Sequence, residues 1–395
     1  MSELIYLDNG ATSFPKPDEV YDFMDSFYRS HGVSPGRSGY DLSIETGNIV
    51  EEARLALTRF FNGTDPNRLV FSYNSTDALN LAILGMVEPG DHVITTTLEH
   101  NAVLRPLYHL SKYQGVEVDY VPVNAKGFVD PEEIAKRFKV STSLVAVNHG
   151  SNVIGTVQPI RAIGALCKEW DIPFLVDASQ TAGKVDVDVR AANISVAAFT
   201  GHKSLLGPTG IGGMYVAEGV DIHHTRAGGT GVKSAVRHHL EEYPYRMEYG
   251  TLNIVGIAGL YAGLKWLLKK GVETIHLQEM ELTRKFVQGL QAIPGVVTYC
   301  QDDLDNHIGV VSFNIEGFEA VNTGTILDGD YNIACRTGLH CAPLIHEQLG
   351  TAGIGGAVRV GFGPFNTEEH VAKALAAIAE IAATHARPEP LTMSA

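Results

Sequence analysis

Four cysteines in 395 residues are too few for a disulfide framework, so reduced thiols and a cytoplasmic setting are expected. Long apolar runs are missing too. No uninterrupted stretch of about 20 apolar residues marks a membrane-crossing helix. The opening Met1-Ser2-Glu3-Leu4-Ile5-Tyr6 has no basic region leading into an apolar one, so no signal peptide is expected. Positive charge is scarce: 30 Lys and Arg stand against 45 Asp and Glu, a formal net charge of −15. That balance argues against nucleic acid or an anionic membrane as the main partner, while leaving room for a local basic pocket that takes an anion. There is no internal repeat and no low-complexity tract. What remains, 45% apolar and 19% charged, describes a globular chain long enough for a large core and two domains.

From residue 68 to 216 short apolar runs alternate with amphipathic segments. Strands are expected at 69–73, 92–97, 116–121, 143–148, 173–177, 196–200 and 212–216, and helices at 76–86, 102–113, 131–138 and 160–170. This alternation predicts an α/β fold, a mostly parallel seven-stranded sheet with helices on both faces. Ligands of such sheets sit beyond the carboxyl ends of the strands, where Asn148, Asp177 and Thr200 fall. After Asn253 the pattern changes to helices at 256–270 and 275–292, shorter strands at 296–299, 308–314, 334–336 and 357–361, and a last helix near 367–383. The expected division is a large domain over 15–255 and a smaller α+β domain from 1–14 and 256–395.

The apolar run Phe174-Leu175-Val176 ends in Asp177, and Lys203 follows 26 positions later in Thr200-Gly201-His202-Lys203. A pyridoxal phosphate enzyme needs this pair of groups: an amine for the Schiff base and a carboxylate that keeps the pyridinium nitrogen protonated. On its own the pair also fits a buried acid at a strand end and a surface lysine in a turn. Asn74-Ser75-Thr76-Asp77 follows a strand and opens a helix, where free backbone amides and the hydroxyls of Ser75 and Thr76 suit a phosphate; a plain helix cap fits as well. Thr200 and His202 offer further phosphate contacts, and His100 after its strand offers a ring to stack on the cofactor.

These segments resemble class V pyridoxal phosphate enzymes of fold type I. The similar segments are Leu7-Asp8-Asn9-Gly10-Ala11-Thr12, Asn74-Ser75-Thr76-Asp77-Ala78, Glu99-His100, Ser151-Asn152-Val153-Ile154-Gly155, Val176-Asp177-Ala178-Ser179-Gln180 and Gly201-His202-Lys203. Within that class they are most similar to cysteine desulfurases and selenocysteine lyases, and the similarity spans nearly the whole chain in order. It implies pyridoxal 5'-phosphate bound through Lys203, with Asp177 on the pyridine nitrogen, Gln180 on the ring hydroxyl and His100 over the ring. Ser75, Thr76, Thr200 and His202 would hold the phosphate, and Asn152 would lie near the substrate carboxylate and the cofactor hydroxyl. Thr251 matches a position that reaches the neighbouring subunit's phosphate, which implies a homodimer.

Arg336-Thr337-Gly338-Leu339-His340-Cys341-Ala342 reads as a loop after a strand ending at Arg336. It presents a thiol whose neighbours His340 and Arg336 favour the thiolate; a buried, inert cysteine is the alternative. The segment resembles the Arg-Thr-Gly-His-His-Cys stretch of short-loop (type II) desulfurases, with Leu339 in place of the first histidine. Arg359, on an apolar strand, needs an anionic partner, either a substrate carboxylate held bidentately or an internal acid. Arg37 matches an arginine at the site entrance. The expected reaction converts L-cysteine to L-alanine and leaves a persulfide on Cys341 for a sulfur-acceptor protein or thiol. Selenocysteine lyase, a C–S β-lyase giving pyruvate and ammonia, and a scaffold without turnover are the alternatives. Cys167, Cys300 and Cys335 read as core or inert thiols. The paired histidines 223–224 and 238–239 read as solvated loop residues, with no metal site expected.

Overall fold

A computed structural model describes residues 4–35 and 39–385 of the chain. Its main sheet has seven strands in the order Leu69–Ser72, Gly212–Val216, Val196–Thr200, Phe174–Asp177, Thr142–Asn148, His92–Thr96, Glu117–Val121. Gly212–Val216 runs antiparallel to both neighbours, and the other pairings are parallel. Phe174–Asp177, Val196–Thr200 and Gly212–Val216 are buried at every residue, as a sheet covered on both faces requires. The strands lie where the apolar runs put them, to within a residue or two.

One apolar cluster covers each face of the sheet. The first contains Phe61, Ile94, Val145, Val147, Phe174, Phe199 and Leu260. The second contains Leu79, Ile83, Val93, Leu107, Leu144 and Met214. The helices Asp18–His31 and Asp41–Phe60 carry no sequence-based expectation, yet Ala53 and Leu57 of the latter pack into the first cluster. The expected boundary near residue 255 falls at the start of helix Ile254–Lys270, whose Ile257, Leu260, Leu264 and Leu267 join that same cluster.

A third cluster surrounds a four-stranded sheet ordered Arg336–Gly338, Ala357–Gly361, Val310–Ile315, Val296–Thr298. Residues 5–9 pack with this unit. Ile5–Tyr6 pairs in parallel with Ile333–Ala334, and Asn9 donates through Nδ2 to the Gly361 carbonyl at 3.1 Å and to Asn366 Oδ1 at 3.1 Å. The expected strand at 334–336 is broken at Cys335 into Ile333–Ala334 and Arg336–Gly338, so Arg336 begins a strand and does not end one. A buried ion pair ties the two units together: Lys184 Nζ lies 2.6 Å from Glu279 Oε2 and donates to the Phe362 carbonyl at 3.1 Å.

Candidate active site

Strand ends and helix starts bring most of the expected residues to one edge of the main sheet. Asp177 closes its strand and is buried; the Ser179 amide donates to its Oδ1 at 2.9 Å, and the Ser179 hydroxyl donates to the same oxygen. On the neighbouring strand Thr200 is the last residue, followed by Gly201, His202 and Lys203. The Asn148 strand end pairs with Asp177.

The chain's N-terminal segment clamps the backbone around Lys203. The His202 carbonyl accepts from the Ser13 amide (3.1 Å), the Thr12 hydroxyl (3.0 Å) and Lys16 Nζ (2.7 Å). The Ser13 hydroxyl donates to the Lys203 carbonyl at 2.8 Å. Burial lowers the Lys203 amine to about 8; Asp177 opposes that shift, while Arg359 and Arg336 add to it. About a tenth is therefore neutral, nucleophilic amine at pH 7, far more than for an ordinary lysine. Burial also lowers Lys16 to about 8, and it lowers His202 to about 4 with help from Lys203 and Lys16.

Asn74 caps helix Ser75–Met86, its Oδ1 accepting from the Asp77 amide at 3.0 Å. The amides of Ser75 and Thr76 belong to the first turn, which has no intrahelical acceptor, so the positive end of the helix faces outward there. His100 caps helix Asn101–Gln114, its Nδ1 accepting from the Ala102 amide at 3.0 Å. That bond puts the proton of the neutral ring on Nε2. Burial lowers the His100 pKa; Asp177 opposes this, and Lys203, Arg105 and Arg359 add to it.

Asp8 was not singled out beyond its motif, and it is the missing counter-ion. Arg359 is 2% exposed; its Nη2 lies 2.7 Å from Asp8 Oδ1, and its Nη1 donates to the Asn152 carbonyl at 3.1 Å. Arg336, opposite Arg359 on the adjacent antiparallel strand, places Nε 3.4 Å from Asp8 Oδ2. The internal-acid alternative for Arg359 is therefore realised. Yet two guanidinium groups share one carboxylate, so an excess positive charge remains for a second. Gly10 eases this approach, since a Cβ there would lie 3.2 Å from Arg359 Cζ and the guanidinium would have to shift by a few tenths of an ångström.

The thiol stands on a tight turn. The Ala342 amide donates to the Leu339 carbonyl at 2.9 Å, and the two central residues, His340 (φ +49°) and Cys341 (φ +58°), have the φ signature of a type I′ turn. Two side-chain-bearing residues with positive φ store about 1–3 kcal/mol each, which the surroundings must offset. Asn152 Nδ2 donates to the His340 carbonyl at 2.7 Å, and the Asn101 amide donates to the Cys341 carbonyl at 2.7 Å. Both anchors come from the shell around His100 and Arg359. Cys341 is exposed and free. His340, expected to favour the thiolate, brings no positive charge to it. The ring is buried, and burial, Arg359 and His346 hold its pKa far below the ordinary range, so it is neutral.

Several buried polar atoms at this edge lack a partner among the described residues: Thr200 Oγ1, His202 Nδ1, Asn152 Oδ1 and Arg359 Nε. Unsatisfied buried polar atoms are costly and mark where a polar ligand belongs. With a helix N-terminus, a buried aspartate and a lysine of lowered pKa, they fit a phosphate-bearing pyridoxal. Gln180 is committed by Nε2 to the Gly10 carbonyl at 2.8 Å. Thr251 is not gathered into this group; it is exposed and lines a surface cavity with Ser72, Tyr73, Asp77, Arg226 and Tyr249. Arg37 lies outside the described residues. Sequence reasoning also gave no role to Glu99, which is fully buried. Its Oε1 accepts from the Asn148 amide (2.9 Å) and the Thr96 hydroxyl (2.7 Å), and burial raises its pKa to about 8.

The aminotransferase class-V family profile matches residues 5–374. A probable cysteine desulfurase of Pyrococcus abyssi (strain GE5 / Orsay) is 35% identical over 96% of this chain and 94% of its own length. A cysteine desulfurase of Salmonella agona (strain SL483) is 32% identical, covering 96% of this chain and 93% of its own. Among solved structures, the apo cysteine desulfurase of Thermococcus onnurineus NA1 superposes with a TM-score of 0.91 at 33% identity, covering 96% of this chain and 95% of that one. The cysteine desulfurase CsdA of Escherichia coli, in an S-sulfonic acid form, gives 0.85 at 26% identity over 97% and 95%.

Proposed function

The chain belongs to the aminotransferase class-V family, and on that premise we propose that it is a pyridoxal phosphate-dependent cysteine desulfurase. One observation carries this reading: the exposed thiol of Cys341 sits on a turn anchored by Asn152 and Asn101 to the same shell that holds Lys203 and Arg359. In this reading residues 15–255 carry the cofactor, and residues 1–14 with 256–395 carry the thiol.

When bound, the pyridoxal ring supplies an electron sink for negative charge developing at the substrate Cα. Lys203 would hold the cofactor, with Asp177 at its pyridine nitrogen, Gln180 at the ring hydroxyl and neutral His100 over the ring face. Ser75, Thr76, Thr200 and His202 would take the phosphate. Arg359, whose charge exceeds what Asp8 neutralises once Arg336 is counted, would grip the L-cysteine carboxylate beside Asn152, with Arg37 at the entrance. Lys203 Nζ, whose pKa is lowered to about 8, takes the Cα proton in its neutral form. Cys341 Sγ, as thiolate, bonds to the substrate sulfur as the Cβ–S bond breaks. The bonding pair stays on Cβ, which takes up a proton, and Lys203 returns a proton to Cα. L-alanine leaves, and Cys341 carries a persulfide for an acceptor thiol. Positioning dominates such a step, because a thiolate off the line of the breaking bond leaves proton removal unproductive.

All four cysteines are free, which supports a reducing, cytoplasmic setting. The exposed Thr251 supports a homodimer in which it meets the phosphate of the neighbouring subunit. The decisive test is a product balance on L-cysteine with a reducing thiol, wild type against Cys341→Ser. Equal alanine and sulfide, both lost in the variant, is the expected result. Pyruvate and ammonia persisting in the variant would overturn it in favour of a β-lyase. Turnover of selenocysteine alone would point to a selenocysteine lyase.

A further inference from the structure

The turn that presents Cys341 has one side-chain anchor of its own, the His340 ring, and that ring heads a buried column. His340 Nδ1 lies 3.3 Å from His346 Nε2, and His346 Nδ1 lies 2.7 Å from Thr351 Oγ1. The Thr351 amide and hydroxyl both reach back to the His346 carbonyl, at 2.9 and 3.3 Å. All three residues are buried. Neither imidazole is charged near neutral pH, since burial lowers His346 to about 4 and His340 further still. Two neutral rings in series must alternate donor and acceptor, so the sense of the His346–Thr351 bond sets that of the His340–His346 bond, while His340 Nε2 has no partner among the described residues. Burial and the bond to His346 together hold the His340 ring in place. The His340 backbone, whose φ is unfavourable for a side-chain-bearing residue, is then fixed from the side chain as well as from its carbonyl.

None of this is required by the chemistry at Lys203. Helix Pro343–Gln348, which carries His346, begins two residues beyond the thiol. We propose that His346 and Thr351 are positioning residues for Cys341, acting through the His340 ring, and that they govern the sulfur-transfer half of the reaction without touching the Cα-proton half. The inference rests on the desulfurase reading, and its test separates the two.

The variants are Thr351→Val, isosteric but without the hydroxyl; Thr351→Ser, which restores it; and His346→Leu. Two readouts are taken on cofactor-loaded protein. Exchange of the L-alanine Cα proton in D2O, followed by NMR, reports Lys203 and needs no thiol. The single-turnover rate of persulfide formation from L-cysteine reports Cys341. Thr351→Val and His346→Leu are expected to keep exchange within about twofold of wild type while persulfide formation falls about 10- to 100-fold, the scale of a nucleophile displaced by about 1 Å. Thr351→Ser is expected to recover. Parallel loss of both rates, or loss of neither, overturns the column's role. A wild type that exchanges alanine but forms no persulfide overturns the desulfurase reading instead. Alkylation of Cys341 by iodoacetamide then tests the column alone, and equal rates in wild type and Thr351→Val would reject it.

Discussion

Glu99 offers a measurable consequence of burying an acid beside another acid. It is fully buried, and burial raises its pKa from the ordinary 4.5 to about 8; the Asn148 and Thr96 hydrogen bonds oppose the shift, and nearby Asp177 adds to it. The sign follows from where the proton is kept. Below pH 4.5 both folded and unfolded chains hold it, and stability is unaffected. As pH rises the unfolded chain ionises while the folded chain does not, so stability falls until about pH 8 and then levels. At about 1.4 kcal/mol per pH unit over the roughly 2.5 units to pH 7, the loss is about 3 kcal/mol. Glu99→Gln keeps an oxygen for the Asn148 amide and the Thr96 hydroxyl and has nothing to ionise. The variant is expected to gain about 3 kcal/mol relative to wild type between pH 4 and pH 7, or about 3–4 °C in thermal midpoint for a chain of this length. Thermal unfolding of the cofactor-free protein across that range checks it. A difference between the two proteins that does not change with pH would refute the argument and make Glu99 an ionised carboxylate with an unrecognised partner.

Three further outcomes follow from the same geometry. The rate at which cofactor-free protein takes up pyridoxal phosphate is expected to rise with pH through about 8, as the Lys203 amine loses its proton; Asp177→Asn, which removes the opposing anion, should move the midpoint lower, and absorbance follows both. Lys184→Met is expected to cost about 3–5 kcal/mol in urea denaturation by stranding buried Glu279, with most of it regained in Lys184→Met/Glu279→Leu; equal losses in the single and double variants would contradict this. His149, buried against Thr181 and lowered to about 3, resists protonation that the unfolded chain accepts below about 6.5, so stability falls with acid; His149→Asn should remove about 1.4 kcal/mol per pH unit of that slope between pH 6 and 4.

Legibility in the sequence followed the range of the signal. Asp177, Thr200 and Lys203 were readable because each closes or follows a continuous apolar run, and alternation with helices sends such ends to one edge of a parallel sheet. The N-terminal turn at Asn74 was readable because a cap is a local event. Arg359 was seen to need an anion, but Asp8 lies 351 positions away and nothing local announces the pair. Arg336 looked like a strand's end because the strand it begins is three residues long and depends on Ala357–Gly361 for its pairing. The neutrality of His340 and Glu99 was hidden for the same reason. Charge state depends on burial, and burial depends on contacts a single segment does not contain.

The grip of Thr12, Ser13 and Lys16 on the carbonyls of His202 and Lys203 also bears on when the molecule becomes competent. A ribosome delivers those three residues about 190 positions before the peptide they hold, and Ile5–Tyr6 must wait for Ile333–Ala334. Domains generally fold as units while the chain is still emerging, but here residues 5–16 meet their partners only after residues 202–203 and 333–334 have been made. The surroundings of the Lys203 amine include Arg336 and Arg359, so they are assembled only once residue 359 has been made. A chain broken off before residue 333 would keep that grip and lose both Arg336 and Arg359, leaving Asp8 without its guanidinium partners.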